Sequence, residues 1–170
     1  MKTIHGYAWM PSPLGRILLV ANGDALCGLY FADQKYFPGI DAAWHQDSGR
    51  AVLRAARKQV EDYFAASRRH FELPLAPKGT PFQREVWNAI AQVPWGQTSS
   101  YAEIAARFGH AGSARAVGAA TGRNPLCIIV PCHRIVGSNG SLTGYAGGLE
   151  RKQKLLALER SSFALAQRAA

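Results

Sequence analysis

Cys132 sits between Pro131 and His133-Arg134, at the end of the apolar run Cys127-Ile128-Ile129-Val130. A thiol beside an imidazole and a guanidinium suits nucleophilic chemistry. The thiolate is the reacting species, and neighbouring cations in a partly dry pocket shift a cysteine toward it. Free cysteine is also among the most buried residue types, so these four residues alone fit a packed, inert thiol equally well. The run Cys127–Val130 reads as a buried strand that would present the thiol at its end. The other cysteines, Cys27 and Cys127, are distant from one another; an odd, scattered set of three makes no disulfide framework and fits a reducing compartment.

The elements that must position this thiol follow from periodicity. Ile17–Ala21 and Ala25–Phe31 flank the turn residues Asn22-Gly23-Asp24 and predict a hairpin. From Ala51 to Phe64, apolar Val52, Leu53, Ala56, Val60, Tyr63 and Phe64 recur at helical spacing between charged residues. Phe71–Leu75 is a short strand-like piece, after which Pro74, Pro77, Gly79 and Pro81 break regular structure and predict a boundary between domains at 1–78 and 79–170. Beyond it, Phe82, Val86, Trp87, Ile90 and Ala91 predict a helix opened by Pro81 and ended by Pro94 and Gly96. Two short helices follow, Tyr101 to Phe108 and Ala114 to Thr121, with Gly109 between them. The pair has the shape of a helix-turn-helix, which two packed core helices without a DNA role would share. Glu150 to Arg160 predicts a final helix with Leu155, Leu156 and Leu158 inward and Glu159 near its end.

Charge points to a partner. Of the formal +9, residues 79–170 hold +6, from ten Lys/Arg against four Asp/Glu. Between Glu103 and Glu150 no acidic residue occurs, whereas Arg107, Arg115, Arg123 and Arg134 fall there with His110 and His133. Such a stretch predicts a polyanion partner, with a solvated basic face as the alternative. No run of 18 apolar residues occurs and the first residues do not resemble a signal peptide, which leads us to expect a cytoplasmic protein without membrane association.

Pro131-Cys132-His133-Arg134-Ile135-Val136, with Arg115-Ala116-Val117-Gly118 upstream, resembles the O6-alkylguanine-DNA alkyltransferases in their stand-alone form. The likeness runs from about Gly79 to Glu159 and takes in Ser100-Tyr101, Asn124-Pro125, Gly144-Tyr145 and Leu155–Glu159. It implies an α+β fold: a small ribonuclease-H-like α/β domain, then a mainly helical domain with a helix-turn-helix of winged-helix type. It implies DNA repair by irreversible, single-turnover transfer of an alkyl group from O6 of guanine, and possible action on O4-alkylthymine. By resemblance, Cys132 is the acceptor, His133 takes the thiol proton through a water, and Glu159 orients the imidazole. Tyr101 resembles the donor that protonates the departing guanine, and Asn124 the hinge between the second helix and the cysteine segment. The main-chain carbonyls of Cys132 and Ile135, the Tyr145 ring and the Ala146 N–H resemble the pocket for the extruded base. Ala146 stands where the family's pattern often has serine, which removes one contact to O6.

The resemblance further implies duplex DNA bound through its minor groove, with Arg115 entering the duplex to replace the flipped nucleotide. Ala114 is among the small residues suited to that narrow groove, Ala102 would be a further DNA contact, and Arg123 and Ser138 would meet phosphates. A monomer without cofactor is expected. Some members hold zinc, but His5, Cys27, His45 and His70 offer one cysteine among scattered histidines, and Cys127, Cys132 and His133 lack a fourth ligand nearby, so no metal site is expected. Three rival readings use the same residues. A damage-flagging relative without catalysis would have lost the acceptor cysteine, a thiol hydrolase would turn over and need an oxyanion site, and a helix-turn-helix regulator would read bases with polar side chains, where the second helix offers mainly Ala, Gly and Arg.

Overall fold

The computed structural model describes residues 5–109 and 112–169. His110 of the cationic stretch and the first four residues lie outside the described residues. The chain divides into two compact units: residues 1–78 with Pro125–Cys127, and residues 79–124 with residues 128–170.

The first unit is a four-stranded sheet with one helix. Strands β1 (His5–Met10), β2 (Ile17–Asn22), β3 (Ala25–Phe31) and β4 (His45–Gln46) lie in the order β3-β2-β1-β4, antiparallel except for the β1–β4 pair. The predicted hairpin is β2–β3, turning at Gly23 with φ 59°, where a residue without Cβ is unstrained. Sequence periodicity left β1 and β4 unassigned. In β1 only Ala8 and Met10 supply large or small apolar groups to the core, and β4 is too short to show a pattern. Central β2 is buried from Ile17 to Ala21, which is why it reads as an unbroken apolar run. Helix α1 (Ala51–Phe64) matches its predicted limits and buries Val52, Leu53, Ala56, Val60 and Tyr63. Each large apolar side chain so buried contributes about 1.5–3 kcal/mol.

Two expectations on strands fail. Phe71–Leu75 forms no strand; only Leu75 makes a bridge, to Leu26. Cys127–Val130 is buried but forms turns. Leu126 bridges Leu29, with Leu29 N–H donating to Pro125 O (2.8 Å) and Cys127 N–H to Leu29 O (3.1 Å). At Ile128 φ is 72°, a left-handed conformation unfavourable for a β-branched residue, and it turns the chain before a ladder can continue.

The second unit is helical. Thr80 and Gln83 close a capping box at the start of α2 (Pro81–Ala91), and Ser100 and Glu103 do the same for α3 (Tyr101–Arg107). Helix α4 (Ala114–Gly122) ends against α2, where the Trp87 indole N–H donates to Ala120 O at 2.9 Å. The core between them is Val86, Trp87, Ile90, Ile104, Ala105 and Val117. Two short strands, β5 (Ser99–Ser100) and β6 (Ile135–Val136), pair in parallel. Helix α5 (Leu149–Ala169) begins one residue earlier and ends nine later than its apolar pattern predicts. No helix among the described residues is long and apolar enough to cross a membrane.

Candidate active site

Cys132 opens a single 3-10 turn, Cys132–Arg134, immediately before β6. The turn closes with Arg134 N–H donating to Pro131 O at 2.9 Å. The thiol is 3% exposed. Asn124, just after α4, is equally buried; its amide nitrogen donates to Val130 O at 2.8 Å and to the Cys132 sulfur at 3.2 Å. One amide thus ties down the turn and the thiol together, and a donor aimed at sulfur favours its anionic form.

Behind the thiol, His133 and Glu159 are both fully buried, with His133 Nε2 2.7 Å from Glu159 Oε1. Arg134 forks onto the same carboxylate, Nε to Oε2 at 2.9 Å and Nη2 to Oε1 at 3.0 Å, and its Nη1 donates to Val93 O at 2.6 Å. Burial works to raise the Glu159 pKa, but its hydrogen bonds and charge interactions with His133 and Arg134 outweigh this and bring it down to about 2. Burial, helped by the charges of Arg134 and Lys152, holds the His133 imidazole below its usual value despite Glu159. The permanently charged Arg134 is therefore the cation that keeps Glu159 ionised, and neutral His133 donates its Nε2–H. That tautomer makes Nδ1 the basic nitrogen.

Tyr101 begins α3 half-buried, its hydroxyl donating to Thr143 O at 3.0 Å. Burial lifts its phenol above the ordinary value, against the Thr143 hydrogen bond and reinforced by Cys132, so it holds its proton at neutral pH. Tyr145 and Ala146 are half-buried in the loop between β6 and α5. The Ile135 carbonyl, expected to meet a guanine amino group, already accepts from the Lys152 ammonium, leaving its second lone pair. On the outside of the helix pair, Arg115, Arg123 and Ala102 are exposed and Ala114 half-buried; Ser138 is exposed in the loop after β6. Among the described residues no group of three or more His, Cys, Asp or Glu is placed to hold a metal.

The 6-O-methylguanine DNA methyltransferase ribonuclease-like domain matches residues 6–77, and the DNA binding domain of the same methyltransferases matches residues 81–161. The chain belongs to this family. It is 45% identical over 155 residues to a methylated-DNA–protein-cysteine methyltransferase of Methanosarcina acetivorans, covering 91% of this chain and 98% of that relative. A Haemophilus influenzae protein of the same name is 40% identical over 158 residues, covering 92% of this chain and 87% of the relative. Among solved structures, the Mycobacterium tuberculosis OGT in complex with DNA superposes with a TM-score of 0.85 at 42% identity, covering 92% of this chain and 94% of that one.

Within this methyltransferase, Cys132, His133, Glu159, Tyr101, Asn124 and Ile135 belong to one connected set of hydrogen bonds and charges. The cationic stretch needs correction. Arg134 and His133 are buried against Glu159, so among the described residues its outward share is Arg107, Arg115 and Arg123. Sequence reasoning missed Lys152, which is fully buried. A signal was present: Lys152, Leu155, Leu156 and Glu159 share one helical stripe by their spacing, so a lysine there either caps the core or serves it.

Proposed function

We propose that this methyltransferase repairs DNA by moving a methyl or larger alkyl group from O6 of guanine, flipped out of a duplex, irreversibly onto Cys132. The observation that carries this reading is the buried chain Asn124–Cys132 and His133–Glu159–Arg134, an activated thiol backed by an ionised carboxylate. In the transfer, the Cys132 sulfur attacks the alkyl carbon in line, the S–C bond forms and the C–O6 bond breaks. The thiol proton passes to His133 Nδ1 through a water, and the resulting imidazolium is stabilised by Glu159. The departing guanine takes a proton from the Tyr101 hydroxyl. No oxyanion hole is required, because no tetrahedral carbon forms.

Pocket and DNA roles follow in the same reading. Tyr145 walls the extruded base, the Ala146 N–H meets O6, and the Cys132 carbonyl with the second lone pair of Ile135 O accepts from the guanine amino group. Helix α4 enters the minor groove; its small residues Ala114, Gly118 and Ala119 suit close approach, and exposed Arg115 fills the vacated stack. Ala102, Arg123 and Ser138 lie along the backbone. The unit of residues 79–124 and 128–170 carries both DNA face and acceptor, and the protein works as a monomer, without cofactor. Three free thiols fit action in the cytoplasm.

The test is incubation with a duplex bearing one O6-methylguanine, followed by the mass of the intact protein and of its Cys132 peptide. One added methyl on Cys132, saturating at one per molecule, is expected. Binding without a mass change would instead identify a damage-flagging protein, and catalytic turnover without stable alkylation a hydrolase.

A further inference from the structure

The first unit holds a cavity of about 390 Å³, within the about 300–1,000 Å³ of small-molecule sites, and the alkyl-transfer reading makes no use of it. All of its lining belongs to that unit, Pro125 included. Its walls are largely aromatic. His5 and Trp44 stand stacked, with ring centroids 5.7 Å apart and planes 23° from parallel, and a turn sets Trp44 by its N–H donating to Asp41 O at 2.9 Å. Tyr30 forms a further wall. Its ring lies over Gly28, where a Cβ would come within 2.5 Å of it, so the missing side chain lets the ring lie against the sheet. The register of β2 against β3 shifts between Val20 and Ala21, which leaves Cys27 as the extra residue of a bulge, and bulges re-aim side chains. Cys27 thereby joins the cavity wall.

The polar groups on this wall are few and of both kinds. Among the described residues the buried amide oxygen of Asn22 has no hydrogen-bond partner, so no such bond opposes its turning to meet a ligand N–H. Asp41 gives one carboxylate oxygen to the Ala43 N–H at 2.8 Å and keeps the other as an acceptor. Lys78 supplies donors, and its charge reaches the Cys27 thiol, which burial pushes up. Burial, reinforced by Cys27 and Cys127, lifts the Tyr30 phenol to about 12, so at neutral pH it too is a donor. One ammonium and one carboxylate balance. A molecule that matches this wall is flat and uncharged, with N–H groups beside ring acceptors on its edge. That is the chemistry of an aminopurine, and the cavity has room for a nucleoside.

We propose that this cavity binds an aminopurine by stacking on Trp44 and hydrogen bonding to Asn22, Asp41 and Lys78, the purine arriving as a free nucleoside or as an unpaired base of a strand. It uses none of the residues proposed for alkyl transfer, so it stands whether or not that reading does.

Adenosine is the probe, because it carries the amino edge and lacks O6. Saturation-transfer NMR on the full-length protein should show it binding at millimolar concentration or below. Trp44→Ala, shown to be folded by thermal melting, should weaken adenosine at least about fivefold, the lower end for loss of one base–aromatic stack. Asp41→Asn keeps an acceptor for the Ala43 N–H but loses the anion, and should weaken adenosine by about the same factor. Carboxamidomethylation of the Cys132 peptide by iodoacetamide, followed across pH, should keep its midpoint and rate when adenosine is present. A deoxyadenylate oligomer separates the two sources. Saturation of its purine protons that Trp44→Ala abolishes, with none for free adenosine, assigns an unpaired strand base; saturation of both probes assigns the nucleoside itself. Saturation of neither probe overturns the proposal. So does binding that both folded variants retain at wild-type strength, or adenosine that slows Cys132 and ignores Trp44→Ala, because the nucleoside then lies elsewhere. If Trp44→Ala does not fold, Asp41→Asn decides.

Discussion

Replacing Glu159 by glutamine changes one charge and almost no volume. The wild-type carboxylate is fully buried and titrates at about 2, against about 4.3 for an unfolded glutamate. Two pH units at 1.36 kcal/mol each correspond to about 3 kcal/mol of stability at neutral pH. An independent route gives the same size: removing one partner of a buried ion pair, here leaving the Arg134 guanidinium without its carboxylate, costs about 3–5 kcal/mol. For a chain of this length each kcal/mol lowers Tm by about 2–4 °C, so Glu159→Gln should melt about 6–12 °C below wild type at pH 7. Because the folded-state pKa lies below the unfolded one, the stabilisation is complete above about pH 5 and is lost as pH falls toward about 2. Melting curves of both proteins at several pH values between 8 and 3, flagged by about half-unit steps, should therefore show a gap that is constant at neutral pH and narrows below about pH 4. Methyl transfer should slow about 10²-fold at pH 7, since His133 loses the anion that stabilises its cation. A variant melting within about 2 °C of wild type, or a gap that does not narrow in acid, would refute the assignment of Glu159 as the ionised centre of this cluster.

Other consequences can be checked with the same proteins. Asn124→Ala removes the donor to both Val130 O and the Cys132 sulfur; the iodoacetamide midpoint of Cys132 should rise, and stability should fall by about 1–3 kcal/mol in denaturant melts for the buried carbonyl left behind. Since burial holds His133 below its unfolded pKa, the unfolded chain takes up that proton first as pH drops through about 6.5. Wild-type stability should accordingly decline from pH 7 to 5, and His133→Gln should flatten that slope in urea titrations. If Arg115 fills the vacated stack as proposed, Arg115→Ala should leave iodoacetamide reactivity of Cys132 unchanged while slowing methyl transfer from duplex more than from single-stranded substrate. Binding of the wild type to undamaged duplex should weaken steeply with salt, with a log–log slope set by the phosphates neutralised.

The helices at Ala51, Pro81, Tyr101 and Ala114 were legible within a residue or two, and so was the β2–β3 hairpin, because each is announced by local periodicity and by Gly or Pro at its ends. Strand β1 was not, since half of its positions are only partly buried and its partner lies across a turn. The motif around Cys132 singled out the candidate thiol and, through the family likeness, the residues expected to serve it. It gave no sign that Arg134 is a structural cation rather than a DNA contact. The apolar run before the cysteine showed burial correctly and conformation wrongly: hydropathy reports that Cys127–Val130 is inside, but a buried turn with Ile128 at positive φ has the same composition as a buried strand.

By itself, then, the chain's sequence determined the candidate thiol's place at the end of an apolar run, the succession of helices, the β2–β3 hairpin and the cationic bias of the second half, all of which depend on residue type and near neighbours. Only the tertiary structure decided which charges face water and which are inside. Arg134 reaches Val93 across 41 residues, His133 reaches Glu159 across 26, and Lys152 reaches Ile135 across 17. A charge is costly inside a protein unless such a partner is brought to it, and the partner's arrival is a property of the fold, not of the spacing along the chain.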